Sequence, residues 1–406
     1  MTAAARVRGH IEAFLKTEAA SGVVLLVAAV VALALANSGV AGVYHRFWTF
    51  PLRLSFHDVA FERSLSWWVN DGLMVLFFFV VGLEIRREMH AGELSEWKRA
   101  VVPTAAALGG MVVPAGLYLA CAGRPESHHG WGVPMATDIA FAVGILGLLG
   151  SRVPPPLRML LLALAIIDDI GAILVIAFAY SSGIALTGVG VALLGFATVL
   201  LLKRLGVRAK AAYVLPALVT WGGTYAAGVH PTIAGVALGL VTPVTVSPSA
   251  AARGETASPA DALIHALHPW VAFGIMPLFA LANAGVTLAG FEVSEVSRGV
   301  ALGVVLGLVV GKPLGVSLAT ALVLRLRLGT LPAGFGRLHV VVVGIVAGVG
   351  FTMALFVAEL AFHDGPLLDA AKLGVLAAST LAGVLTLVVG RLVLPKGPVV
   401  RRPESR

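Results

Sequence analysis

Apolar runs of roughly 18 to 25 residues, nearly free of charge, follow one another along this chain, and each can cross a hydrocarbon layer of ~30 Å as a helix. Only 12% of the 406 residues are charged, about half the usual share for a soluble domain. A water-facing surface cannot be assembled from so few. In lipid every backbone N–H and C=O must be satisfied within the protein, and a helix does this locally. The sequence therefore predicts an all-α polytopic membrane protein with about twelve transmembrane helices, at 18–37, 66–85, 101–121, 133–150, 157–181, 184–202, 211–228, 230–242, 266–288, 300–323, 338–360 and 367–390. No small-residue cleavage site follows the first run, which reads as a retained span. Cys121 is the sole cysteine, so no intrachain disulfide is expected.

The net charge of +8 would suit a nucleic-acid partner, but its placement points elsewhere. On the expected topology, 22 of the 29 Lys/Arg residues fall on one side. Six fall on the other, namely Arg46, Arg53, Arg63, Arg124, Arg298 and Lys372, and Lys312 lies within a span. That asymmetry is an orientation signal. It places both termini in the cytoplasm of a multi-pass protein and argues against nucleic-acid binding. The chain reads as one transmembrane domain, 1–406, with a cytoplasmic N-terminus (1–16), a Pro- and Ser-rich cytoplasmic linker (243–262) and a cytoplasmic tail (395–406). Segment 44–58 alternates aromatic, apolar and polar residues. It fits either a small hairpin or an irregular interfacial loop anchored by Trp48 and Phe50.

Four ionisable residues interrupt the apolar spans: Asp138, Asp168, Asp169 and Lys312. Each costs about 2.5–3.5 kcal/mol at the bilayer centre, so together they cost ~10 kcal/mol or more. An ion-pair network that fixes helix register is one explanation, and an ion or proton pathway is the stronger one. Asp168 and Asp169 are adjacent, about 100° apart on a helix, so one can line a cavity while the other faces a neighbour or a cation. Thr137 and Asp138 follow Pro134, which suggests an interrupted helix whose positive ends Asp138 could balance. Lys312 precedes Pro313, which disfavours helical geometry at the lysine, and its natural partner is Asp168 or Asp138. Lys312 can serve as a charge-balancing partner or as a carrier of an exchanged proton. Carboxylates suit Na+ or Li+, and loss of hydration disfavours their charged form, so one group can hold either a cation or a proton.

Glycine marks two further places. Gly303, Gly307, Gly311 and Gly315 recur every fourth residue, which lets a neighbouring helix approach closely; helix packing is the expected role at Gly303 and Gly307. Gly344, Gly348 and Gly350 weaken helix propensity in the middle of the eleventh run, where a break would expose backbone groups to a midplane ion site. An intramembrane aspartyl protease would also need two aspartates, but on different helices and within a Gly-x-Gly-Asp motif that this chain lacks. A Na+-coupled symporter would need more polar residues to line an organic-substrate pocket than these spans offer.

Taken in order, WWVNDGLMVLFFFVVGLEIRRE (67–88), ATDIAFAVG (136–144), LAIIDDIGAI (164–173), GVHPTIAGV (228–236), LHPWVAFGIMPLFALANAGV (267–286), GKPLG (311–315) and GFTMALF (350–356) resemble the NhaA Na+/H+ antiporters over residues 11–390. The resemblance implies an inverted repeat of spans 3–5 and 10–12 with two discontinuous crossing helices, spans 4 and 11. It implies that Asp168 and Asp169 bind the transported Na+, that Thr137 and Asp138 lie at the first break, and that Lys312 lies near the crossing with the second. It further implies a protein of the bacterial inner membrane that exports Na+ or Li+ against external H+. Exchange would be electrogenic, with two protons per cation, faster at alkaline pH, and without a cofactor. Segment 44–58 is a candidate homodimer contact, and membrane lipid is the expected surrounding. Glu84, Arg87 and Glu88 match a cytoplasmic charged cluster tied to pH response, and His230, His265 and His268 match histidine positions tied to it as well. Ile264 stands where well-known members carry glutamate, so a shifted pH response is expected. Asp71 and Glu359, near the membrane edges, have no expected role.

Overall fold

Because the chain's apolar runs must satisfy their own backbone, they form helices. The computed structural model describes residues 3–56, 59–181, 183–207, 209–245, 258–288, 294–331, 335–362 and 365–395. Most of the linker expected at 243–262 and of the tail at 395–406 lies outside the described residues. The helices are α1 (Ala3–Ala36), α2 (Ala41–Thr49), α3 (Leu65–His90), α4 (Trp97–Ala122), α5 (Ile139–Leu148), α6 (Pro155–Ala179) and α7 (Leu186–Arg204). They continue with α8 (Val214–Ala226), α9 (Thr232–Val241), α10 (Pro259–Asn283), α11 (Glu295–Arg325), α12 (Arg337–Ala347), α13 (Phe351–Ala361) and α14 (Pro366–Val393). Every expected apolar run contains helix, and those at 133–150 and 338–360 are interrupted. Among the described residues, seven helices are long and apolar enough to cross a membrane, and ten spans result if each sharply bent pair counts as one. The runs at 211–228 and 230–242 fall short: α8 has 13 residues and α9 has 10, about 20 and 15 Å of helix.

Large apolar side chains point outward from the long helices, among them Phe178 (85% exposed), Leu186 (81%) and Leu392 (80%). Such an outer face is the expected solution in lipid, where apolar groups need no burial against protein.

Two compact units make up the chain. The first comprises Met1–Leu26, Trp97–Asp168 and Glu292–Arg406; the second comprises Val27–Glu96 and Asp169–Phe291. The division falls between the two adjacent aspartates, inside the continuous helix α6.

In the first unit the order continuous, interrupted, continuous occurs twice. A 3-10 segment, Pro125–Met135, leads at a 51° bend into α5 between α4 and α6. Likewise α12 leads at a 50° bend into α13 between α11 and α14. The second break falls at 348–350, within the glycine cluster. All four glycines of the α11 stripe pack on α4 or the segment after it. A Cβ at Gly303 would meet Tyr118, and one at Gly307 or Gly311 would meet Pro114. At the closest point Gly315 and Gly109 face each other, and a side chain on either would collide with backbone. Leu146, Leu161, Leu164, Val316, Val342 and Val346 fill the core behind this seam.

The expected distortion at Lys312 is absent: its φ of −60° and ψ of −55° are helical. The strain is moved upstream instead. A Pro ring clashes with the carbonyl four residues before it, here Val309, and that residue lies in a widened π turn, Gly307–Gly311. The same device precedes Pro277, where the widened turn is Val271–Ile275.

In the second unit, α3 and α9 approach through Gly82, Gly235 and Gly239, each facing backbone of the other helix. The segment expected at 44–58 is divided. Tyr44 to Thr49 belong to α2, and an antiparallel hairpin follows, β1 (Pro51–Phe56) with β2 (Val59–Ser64). Pro51 opens β1, a position where its missing N–H is tolerated.

Candidate functional site

The site is built where the two interrupted spans of the first unit stop being helical. Residues 136–138 separate the 3-10 segment from α5, and 348–350 separate α12 from α13. Free backbone groups at such breaks need partners. The two breaks supply some of them for each other: Asp138 N–H donates to Val349 O at 2.8 Å.

Side chains satisfy more. Asp138 caps α5 by accepting from Phe141 N at 3.0 Å. Its Oδ2 also accepts from Thr352 N at 3.1 Å and from the Thr352 hydroxyl, at the start of α13. One carboxylate thus faces two helix N-termini, where the helix dipoles favour negative charge. Phe351 N, beside Thr352, donates to Ser379 Oγ on α14 at 3.0 Å.

On the other side of the breaks Thr137 Oγ1 lies 2.9 Å from Ala347 O, a C-terminal carbonyl of α12, and 2.7 Å from Asp168 Oδ2. Its single proton serves one of the two at a time. Lys312 Nζ donates to Thr137 Oγ1 at 2.8 Å and is paired with Asp168 Oδ2. Thr137, Asp138, Asp168 and Lys312 are all at most 1% exposed. Of the two partners the sequence leaves open for Lys312, the structure selects Asp168. Asp169 follows on α6 and is 3% exposed.

One atom in this group stands out chemically. Asp168 Oδ1 is buried and, among the described residues, has no hydrogen-bond partner. An ionised carboxylate oxygen accepts only, so such an atom is a ready place for a proton or a hard cation.

The six residues considered for pH response do not form one group. Glu84, Arg87 and Glu88 lie on the last turns of α3. His265 and His268 lie on α10, which packs beside α3 through Ile264, Ala260 and Leu83. Ile264 is only 7% exposed there, so the position that departs from the resemblance is a packed apolar contact. His230 stands apart. Its Nε2 is 3.2 Å from Asp71 Oδ1, and its Nδ1 is 2.8 Å from Thr232 Oγ1. Asp71 precedes Glu84 by 13 residues on the same helix, about 20 Å along its axis.

Sequence reasoning assigned no role to Asp71, Thr352 or Ser379. Thr352 carries a readable signal, a hydroxyl residue just after a glycine-rich break. Ser379 carries none, because it sits in an unbroken apolar helix. Asn70 and Asn283, also unassigned, exchange amide hydrogen bonds at 3.2 and 2.8 Å.

The sequence profile of the family described as Na+/H+ antiporter 1 matches residues 12–389. A protein of Myxococcus xanthus named Na(+)/H(+) antiporter NhaA 2 is 57% identical, over 95% of this chain and 89% of its own length. A Sorangium cellulosum protein of the same name is 53% identical, over 95% of this chain and 90% of its own. The Na(+)/H(+) antiporter NhaA of Acidovorax sp. is 54% identical, over 92% of this chain and 89% of its own.

Proposed function

The chain belongs to the Na+/H+ antiporter 1 family, a family of transporters rather than enzymes, and from that premise we propose that it exports cytoplasmic Na+ or Li+ in exchange for two external protons. The observation that carries this reading is the buried Asp168 carboxylate, one oxygen held by Lys312 and Thr137 and the other without a partner. A cation arriving at Asp168 and its chain neighbour Asp169 competes with protons for the same oxygens. On binding, Asp169 releases its proton, and the Lys312 ammonium leaves Asp168 and gives up another. Two protons depart as one Na+ arrives, so each cycle moves one net charge.

In this reading the apolar runs make twelve crossings in the bacterial inner membrane, with both termini cytoplasmic. Spans 3–5 and 10–12 form an inverted repeat whose interrupted members cross at the site, within a single transmembrane domain. The chemistry needs no cofactor. Asp138 and Lys312 balance the helix ends at the breaks. Glu84, Arg87, Glu88, His265 and His268 tune the response to cytoplasmic pH, with Ile264 weakening it, and His230 acts through Asp71 from a separate place. Segment 44–58 supplies a homodimer contact within the lipid.

The test is exchange by purified protein in vesicles under an imposed potential. One net charge per cycle corresponds to about 2.3 kcal/mol per 100 mV, or about fiftyfold in the Na+ ratio reached at steady state. Lys312→Arg keeps the positive charge but resists deprotonation, so that variant should lose exchange or become insensitive to potential while staying folded. A wild-type ratio indifferent to potential refutes the electrogenic cycle. Unchanged potential-driven exchange by Lys312→Arg removes the lysine from it.

A further inference from the structure

An ion pair remains that the exchange cycle does not use. Lys372 Nζ on α14 lies 2.5 Å from Glu359 Oε1 on α13, with side chains 12% and 20% exposed. Both side chains are largely shielded from solvent, and charge taken out of water is costly unless it is paired. Glu359 is especially ill-placed alone, because it sits two residues from the C-terminal end of α13, where the helix dipole disfavours negative charge.

The position of the pair supplies the reason. Helices α13 and α14 run antiparallel, and two rungs join them. The first is Phe351 N–H to Ser379 Oγ, at the break, where the neighbouring Thr352 binds Asp138. The second is Glu359 to Lys372, near the far end of α13. Glu359 follows Phe351 by eight residues and Lys372 precedes Ser379 by seven, so the two rungs stand about 10–12 Å apart along the helices. Helix α13 has only 11 residues. It is joined to α12 through Gly348 and Gly350, residues that stiffen a backbone least. Residues 351–358 are buried against their neighbours, so the part of α13 that still needs holding is its last turn, where Glu359 sits.

We propose that Glu359 and Lys372 form the positioning clamp that holds the half-helix α13 on α14, keeps its N-terminus aimed at Asp138, and thereby sets how tightly the transport site holds Na+. This inference rests on the exchange reading above and assigns that site two positioning residues. The clamp touches neither cation nor proton, so its loss should move apparent affinity more than maximal rate.

The experiment measures Na+-dependent proton flux against Na+ concentration for wild type, Glu359→Gln, Lys372→Gln and the charge-exchanged double variant Glu359→Lys/Lys372→Glu. Each single variant should raise the apparent KM for Na+ about tenfold with maximal rate per folded protein little changed. The exchanged pair should bring KM back to within about threefold of wild type. If a single variant does not fold, the exchanged double variant still decides: a folded double variant with wild-type KM supports the clamp. Single variants with wild-type KM, or an exchanged pair no better than the singles, overturn it. A wild-type protein without Na+-dependent proton flux overturns both this inference and the exchange reading, so the two failures are distinguishable.

Discussion

Replacing Asp169 by asparagine abolishes Na+-dependent proton movement while leaving the protein folded. The substitution is nearly isosteric, and the Asp168–Lys312 pair, the Thr137 contacts and the Asp138 cap do not depend on it. What is lost is the ability to alternate between a proton and a cation, since a neutral amide takes up no proton at working pH and offers a cation no negative charge. The effect is on turnover, with exchange falling to the level of protein-free vesicles and thermal unfolding in detergent shifting little. Full exchange by a folded Asp169→Asn protein would remove this residue from the site.

Asp168→Asn combines loss of transport with a large structural cost. Lys312 is 0% exposed, and its charged partner is Asp168. Removing one member of a buried pair costs about 3–5 kcal/mol, because the other charge is left uncompensated, whereas removing both together costs far less. The single variant should therefore unfold at clearly lower temperature in detergent. Adding Lys312→Met should recover most of that loss without restoring exchange. A single variant as stable as wild type would mean that Lys312 is compensated elsewhere.

The helical framework was readable because it follows from composition: an apolar run in lipid has no alternative to helix. Helix ends were less readable, since apolar content does not register where a helix stops. The run at 211–228 opens as a 3-10 turn through Tyr213 and ends where Gly228, at a φ of 78°, stops α8 in the manner of a C-terminal glycine, and α9 begins only at Thr232. Segment 44–58 mixes residues that suit either a helix or a strand, and Pro51 decides where one gives way to the other. At Lys312 the rule about residues preceding proline named a real strain but misplaced it, because a π turn absorbs it one turn earlier.

The candidate site was legible in its charges, since buried charge in a membrane is rare enough to be conspicuous. Its partners were not. The angle between Asp168 and Asp169 follows from helix geometry, but which of them meets Lys312 depends on how α6 and α11 pack. Ser379 and Asp71 are ordinary residues in sequence and acquire a role only from what lies opposite them. The family resemblance gives His230 together with His265 and His268, and sequence alone does not show that its partner Asp71 lies far along α3 from Glu84.

The central claim is that one set of buried carboxylates holds either a cation or protons. Calorimetric titration of the purified protein with Na+, in buffers of different ionisation enthalpy, counts the protons released per cation bound. The account predicts about two protons per Na+ for wild type near neutral pH, in line with a one-charge cycle, and no Na+ binding by Asp169→Asn. Saturable Na+ binding to wild type with no proton release would contradict it.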